Sequence, residues 1–253
     1  MTSLVASPIA LLRRAAGAAL RLQRFQRDFA AFAALSRQSD GRFTPRWEDR
    51  LPCLNDRTPD TAFDKQYLYH PAWAARVLSE TRPAEHTDIS SILHFSALVS
   101  AFLPVRFYDY RPAAITLDGL AVGRADLTAL PFETGSVASL SCMHTVEHIG
   151  LGRYGDPLDP EGDLKAMREL DRVLAPGGSL LFAVPVGRPR LLFNGHRIYS
   201  FAQIRDAFAG LELAEFSLIL DDAHAGGLVR NADPALADEQ AYGCGCFHFK
   251  KRG

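Results

Sequence analysis

The sequence predicts an α/β domain built on a mostly parallel sheet with helices on both faces. Three observations predict it. From residue 88 onward short apolar runs alternate with helical patterns, the rhythm of βαβ units. The segment from Cys142 to Pro185 holds one such unit without a gap: strand end, charged loop, helix, Pro-Gly-Gly stop, strand. The run 137–143 is apolar and small enough to be buried on both faces, as parallel strands are.

A chain of 253 residues, 47% hydrophobic and 23% charged, is long enough to bury a core without staples. A net charge of −1 argues against a nucleic-acid binder, because counterion release needs a basic face. The four cysteines, at 53, 142, 244 and 246, form neither a disulfide framework nor paired zinc ligands, so they are read as reduced and the compartment as cytoplasmic. Arg13 and Arg14 interrupt the early apolar residues, and neither a secretory signal nor a spanning helix is expected.

Three regions follow in order: 1–37, a basic amphipathic helix; 38–84, a wrapping linker with a short helix; and 85–253, the α/β domain. Over residues 9–32, Leu12, Ala15, Ala19, Leu22, Phe25, Phe29 and Ala33 recur at helical spacing while five arginines fall mostly away from that stripe. Such a helix packs on its own domain or on a second copy, or attaches peripherally to an anionic membrane, where each near-surface Arg contributes on the order of 1 kcal/mol. Residues 36–71 dissolve into Gly, Pro, Asp and Arg with scattered aromatics, and a short helix fits 71–79 with Pro71 in its first turn.

In the α/β region a short first strand ends at 88–90 and the next helix fits 97–102. Strands follow at 105–108, ending in Asp109, and at 121–125, ending in Asp126; the fourth is 137–143. The helix 162–174 carries Leu164, Met167, Leu170 and Leu174 on one stripe and Lys165 and Glu169 at i and i+4; Pro176-Gly177-Gly178 stops it. The fifth strand is 180–184, a helix fits 201–208, and strands fit 212–220 and 244–249, with a loop over 223–239 between them.

This order, with Asp109-Tyr110-Arg111-Pro112, Asp126-Leu127, the run His144 to Asp156 and Asn194-Gly195-His196-Arg197, resembles the class I S-adenosylmethionine-dependent methyltransferases and, more narrowly, the domain-of-unknown-function family DUF268. The resemblance implies a Rossmann-like seven-stranded sheet in which a final hairpin inserts one antiparallel strand. It also implies a cofactor site: Asp109 at the ribose, where a carboxylate can accept both diol protons, Asp126 and Leu127 at the adenine, and Tyr110 as a further cofactor-binding residue. The superfamily's first-strand motif, Asp-x-Gly-x-Gly-x-Gly, is altered. Asp88 is present, but Ser90, Ile92 and His94 replace all three glycines, so Ser90 and Ser91 hydroxyls are the candidates to replace backbone contacts. The function implied is methyl transfer to a polar small molecule or a glycan; the altered loop keeps open a non-catalytic binding or scaffolding module.

The run His144-Thr145-Val146-Glu147-His148 sits where an acceptor would meet the methyl group. His144 and His148 are candidate bases and Glu147 their orienting carboxylate, while Arg153, Tyr154, Asn194, His196 and Arg197 are candidate acceptor ligands. The same run matches the H-x-x-E-H pattern of zinc proteases, but that pattern requires a helix, and Ile149-Gly150-Leu151-Gly152 is poor helix material. No metal is expected, and Cys244 and Cys246, on one face of the last strand, are read as structural.

Overall fold

The computed structural model describes residues 8–39, 42–222 and 226–253. The chain divides into two compact units, one ending at Ala62 and the other spanning Phe63–Gly253. In the first, α1 (Pro8–Ser36) is the expected arginine-bearing helix, longer at both ends. Its Phe25 and Phe29 rings lie 6.1 and 5.0 Å from the ring of Trp47, which opens a 3-10 turn closed by Arg46 and Asp49 at 2.7 Å. Among the described residues no helix is long and apolar enough to cross a membrane.

The second unit opens on α2 (Lys65–Thr81), which begins six residues before the expected start. Asp64 caps it, accepting the Tyr67 N–H at 3.1 Å, so Pro71 falls inside the helix. A mid-helix proline forfeits a backbone hydrogen bond. The helix is nonetheless anchored, because Trp73, Ala74, Val77 and Leu78 bury one face and the Trp73 indole donates to Glu215 at 2.9 Å.

The sheet strands are β1 (His86–Ile89), β2 (Val105–Asp109), β3 (Leu120–Arg124), β4 (Val137–Met143), β5 (Leu174–Val186), β8 (Glu212–Ile219), β9 (Leu228–Val229) and β10 (Gly243–Lys250); β6 (Arg190–Leu192) and β7 (His196–Ile198) form a separate hairpin. The order is β3-β2-β1-β4-β5-β10-β8-β9. β1 to β5 are mutually parallel, and β10 inserts antiparallel between β5 and β8. Among the described residues the expected seven sheet strands are therefore eight, because the two-residue β9 pairs antiparallel with β8 inside the segment expected to be loop. That segment also carries α6 (Pro234–Glu239), capped by Asp233; its residues 223–225 lie outside the described ones.

Alternation along the strands separates two cores. Leu181, Ala183, Cys244, Cys246 and Met143 face α2 and α3 (Leu93–Val99), whereas Phe182, Val184, Phe247 and Phe249 face α4 (Gly162–Val173) and α5 (Phe201–Ala207). The stripe of α4 runs through Ala166, Met167, Leu170 and Val173; Leu164 is 42% exposed and lies off it. Lys165 pairs with Asp159 at 2.6 Å and Glu169 with Arg172 at 2.7 Å, not with each other. The helix stops at Val173, and Pro176-Gly177-Gly178 belongs to β5, where an irregularity shifts the pairing from Val137–Leu174 to Ser139–Ser179. Gly177 takes the left-handed conformation there, with φ +72.

Candidate active site

The strand order reverses between β1 and β4, and at their carboxyl ends lies a cavity of about 300 Å³. In open α/β sheets this is where ligands bind. Ser90, Asp109, Tyr110, Asp126, Leu127, His144, His148 and Tyr154 line it, so four adjacent strand ends bring the two expected acids and both histidines together.

The altered loop has a simple local structure. Ser90 stands at φ +55, the left-handed conformation that a glycine would take without strain. Its N–H and hydroxyl both donate to the Tyr108 carbonyl, at 2.8 and 3.3 Å, and its own carbonyl accepts from the Thr145 hydroxyl at 2.8 Å. Ile92 has φ −62, and α3 begins at Leu93, so His94 lies inside a helix; neither position needs a glycine. The helix starts four residues earlier than expected because the chain turns directly out of β1. Ser90 thus takes a left-handed turn at the first glycine position, and the third glycine position falls inside α3.

Two of the candidate cofactor residues are not in the cavity. Asp88 is fully buried beneath it, accepting from the hydroxyls of Ser141 and Ser96, each at 2.5 Å. Since Ser141 spends its proton on Asp88, it must accept from His86 Nε2–H at 2.8 Å, which leaves His86 Nδ1 to accept from Ser139 at 2.8 Å. Burial raises the Asp88 carboxyl to about 6 against the pull of its serine donors, and lowers His86 to about 3. Ser91 likewise turns inward, its hydroxyl accepting the Met143 N–H at 3.0 Å. Of the loop serines, only Ser90 lines the cavity.

Asp109, half-buried, accepts the Arg111 N–H at 2.7 Å through Oδ1. Asp126 accepts from the Thr128 N–H and hydroxyl at 2.8 and 2.7 Å, also through Oδ1. Each turn fixes one carboxylate oxygen and leaves Oδ2 to a ligand. Leu127 is buried beside the opening.

On the opposite wall Val146–His148 forms a 3-10 turn rather than an α-helix, so the zinc-protease arrangement of His144 and His148 is not formed. His148 Nδ1 donates to the Gly195 carbonyl at 2.6 Å, and its Nε2 lies 3.8 Å from Glu147 Oε1. His144 has both nitrogens engaged: Nδ1 lies 2.9 Å from Glu147 Oε1 and Nε2 3.2 Å from Cys244 Sγ. Burial opposes a charge on this ring, but the Cys244 sulfur and the Glu147 carboxylate outweigh it and raise His144 to about 10. His144 also stands at φ +56, so the ends of β1 and β4 both hold non-glycine residues in a strained region, a conformation that costs about 1–3 kcal/mol each.

Tyr154 is the acceptor candidate that reaches the cavity. Its ring lies 5.7 Å from that of His148, with the Arg111 and Arg153 guanidinium carbons 4.7 and 5.1 Å from its centroid. The other candidates brace the wall. Arg153 donates to the Gly195 carbonyl at 3.2 Å, and Arg197 donates to the Ile149 carbonyl at 2.7 Å and pairs with Asp163 at 3.4 Å. Asn194, at φ +60, reaches the Leu151 carbonyl at 3.5 Å, and the His196 ring lies against Tyr242 at 5.0 Å, with its pKa lowered first by burial. Asn194, His196 and Arg197 sit on the β6–β7 hairpin, whose three-residue strands are too short to show a sequence periodicity, and they do not line the cavity.

Asp156 closes the loop by accepting the Gly150 N–H at 2.7 Å and the Tyr154 N–H at 3.2 Å. Gly150 is required there, since φ is +81 and a Cβ would fall 2.0 Å from the Asp159 carbonyl oxygen. Sequence reasoning missed Arg111 and Thr128 as lining residues, although both adjoin the strand-end acids that pointed to the site.

Comparison with known proteins agrees with this architecture. Residues 133–223 match the family described as "Caenorhabditis protein of unknown function, DUF268". The structure of the N-methyltransferase NodS from Bradyrhizobium japonicum WM9 in complex with S-adenosyl-L-homocysteine is 14% identical, with a TM-score of 0.51, and the match covers 75% of this chain and 90% of that one. The Burkholderia thailandensis 1,6-didemethyltoxoflavin-N1-methyltransferase, solved with bound 1,6-didemethyltoxoflavin and S-adenosylhomocysteine, is 12% identical, with a TM-score of 0.51, and the match covers 100% of this chain and 94% of that one. No curated protein matches the chain. The chain has the fold of the class I S-adenosylmethionine-dependent methyltransferases and, over residues 133–223, resembles DUF268.

Proposed function

We propose that the protein is an S-adenosylmethionine-dependent methyltransferase acting on a polar small molecule or glycan. The observation that carries this reading is the convergence of Ser90, Asp109, Asp126 and His148 on one cavity at the strand-order reversal. The residues present fit the cofactor. Asp109 and Asp126 each keep a carboxylate oxygen for the ribose diol and the adenine amino group, and the left-handed Ser90 keeps the backbone turned as a glycine would. When bound, S-adenosylmethionine supplies an electrophilic methyl group on a sulfonium.

The protein's share of methyl transfer is then mainly positioning, because an in-line displacement depends on holding the acceptor in line and excluding water. Tyr154 forms a flat aromatic wall for a hydroxylated acceptor, backed by Arg111 and Arg153. His148, held through Nδ1 by the Gly195 carbonyl and lining the cavity, is the group that takes the proton of an acceptor hydroxyl. His144 is a poorer base, with both nitrogens engaged.

One observation favours a second reading, a module that has lost catalysis: α3 starts where the glycine loop would continue, so fewer backbone groups remain to cradle the cofactor. Isothermal titration with S-adenosylhomocysteine separates the two. Saturable binding that Asp109→Ala abolishes supports the enzyme; no heat at millimolar ligand supports the module.

A further inference from the structure

Behind the cavity wall, between α2 and the sheet, lies a group of side chains that the proposed methyl transfer does not use. His70 of α2, His144 at the end of β4 and Cys244 of β10 each offer one ligand atom, and the three atoms all lie within 4.8 Å of one another. All three residues are buried. His144 Nε2 and Cys244 Sγ are already 3.2 Å apart.

Two features single this group out from ordinary packing. His70 is fully buried, yet neither ring nitrogen makes a well-formed hydrogen bond, and buried polar groups left without partners are rare. Its ring instead faces that of His144 at 4.9 Å. In addition, His144 points Nε2 into the group while Glu147 Oε1 holds Nδ1 at 2.9 Å. A carboxylate behind a histidine, fixing its tautomer and ring, is the usual support for a metal-binding imidazole. Glu147 Oε2 has no partner, so this buried carboxylate also lacks a full complement of charge or donors.

We propose that His70, His144 and Cys244 bind a borderline-soft transition metal, zinc being the best match to two imidazoles and a thiolate. Tetrahedral zinc, with Zn–N about 2.0–2.1 Å and Zn–S about 2.3 Å, separates its ligand atoms by roughly 3.3–3.8 Å, so small rotations of the three side chains close the site. On binding, Cys244 Sγ and His144 Nε2 release any protons they carry to solvent and the metal takes their place. The Cys246 sulfur stands 3.9 Å from that of Cys244, on the same face of β10. The ion would tie α2 to β4 and β10, segments far apart in the chain, and would fix the His144–Glu147 turn beside the cavity. This replaces the structural role read for Cys244 from the sequence, and differs from the H-x-x-E-H arrangement in that His148 is not a ligand.

The test is cobalt titration of the full-length, untagged, chelator-treated protein, followed by zinc competition. A single equivalent should bring a thiolate-to-cobalt charge-transfer band and visible bands of tetrahedral intensity, both abolished by zinc. Cys244→Ser should remove the charge-transfer band, His70→Gln should remove stoichiometric binding, and Glu147→Gln should weaken it about 10–100-fold. Cys53→Ser, in the other unit, should change nothing. Absence of stoichiometric cobalt and zinc binding by the folded wild-type protein overturns the proposal, as does binding that survives Cys244→Ser or His70→Gln. Because the readout is spectroscopic, it is independent of whether S-adenosylhomocysteine binds.

Discussion

Replacing Asp88 by asparagine should change the pH dependence of stability in a defined direction. Asp88 is fully buried, and burial raises its carboxyl from 3.8 to about 6. A carboxyl raised on folding contributes stability that is fully present below its unfolded value, near 3.8, and lost as the pH rises through about 6. The gap is worth about 3 kcal/mol at most above that window. The amide introduced by Asp88→Asn cannot ionise, and the Ser96 and Ser141 hydroxyls can rotate to meet it. Urea unfolding of both proteins between ~pH 4 and ~pH 7 should therefore show the variant gaining up to about 3 kcal/mol on the wild type. His86, lowered to about 3 by burial, acts in the opposite sense, its stability present above 6.5 and lost as the pH falls toward 3. It is carried by both proteins and drops out of the difference. Parallel stability curves across the whole range would mean that the Asp88 carboxyl is not raised on folding.

Two further substitutions probe the cavity wall. Gly150→Ala places a Cβ 2.0 Å from a carbonyl oxygen at a positive φ, so it should destabilise by more than about 1 kcal/mol in urea unfolding and shift the Tyr154 loop; an unchanged midpoint would mean the loop yields freely. His148→Ala should lower turnover by about 10²–10⁴-fold, the span general-base catalysis contributes, while leaving S-adenosylhomocysteine affinity within a few-fold. Equal losses in turnover and affinity would remove His148 as the base.

The strand-end acids were legible because an Asp that closes an apolar run marks its own place: Asp109 and Asp126 fall at neighbouring strand ends whatever the details of the loops. Asp88 obeys the same pattern and yet is buried, since the chain turns at Ser90 straight into α3 and three serines take up its carboxylate and support its neighbourhood. Periodicity does not report that choice. The hairpin of Arg190–Leu192 and His196–Ile198 was hidden by its length, and with it the bracing positions of Asn194 and Arg197. His70 was hidden for a different reason. Pro71 drew the start of a short helix, when the cap is Asp64, and only the longer helix carries His70 across the sheet to His144 and Cys244.

On the proposed reading, Ser90, Asp109 and Asp126 form a cofactor site without the glycines. A crystal structure with S-adenosylhomocysteine tests it most directly. The ribose hydroxyls are expected on Asp109 and the adenine between Asp126 and Leu127; ligand bound elsewhere, or an empty cavity at saturating concentration, would rule this site out.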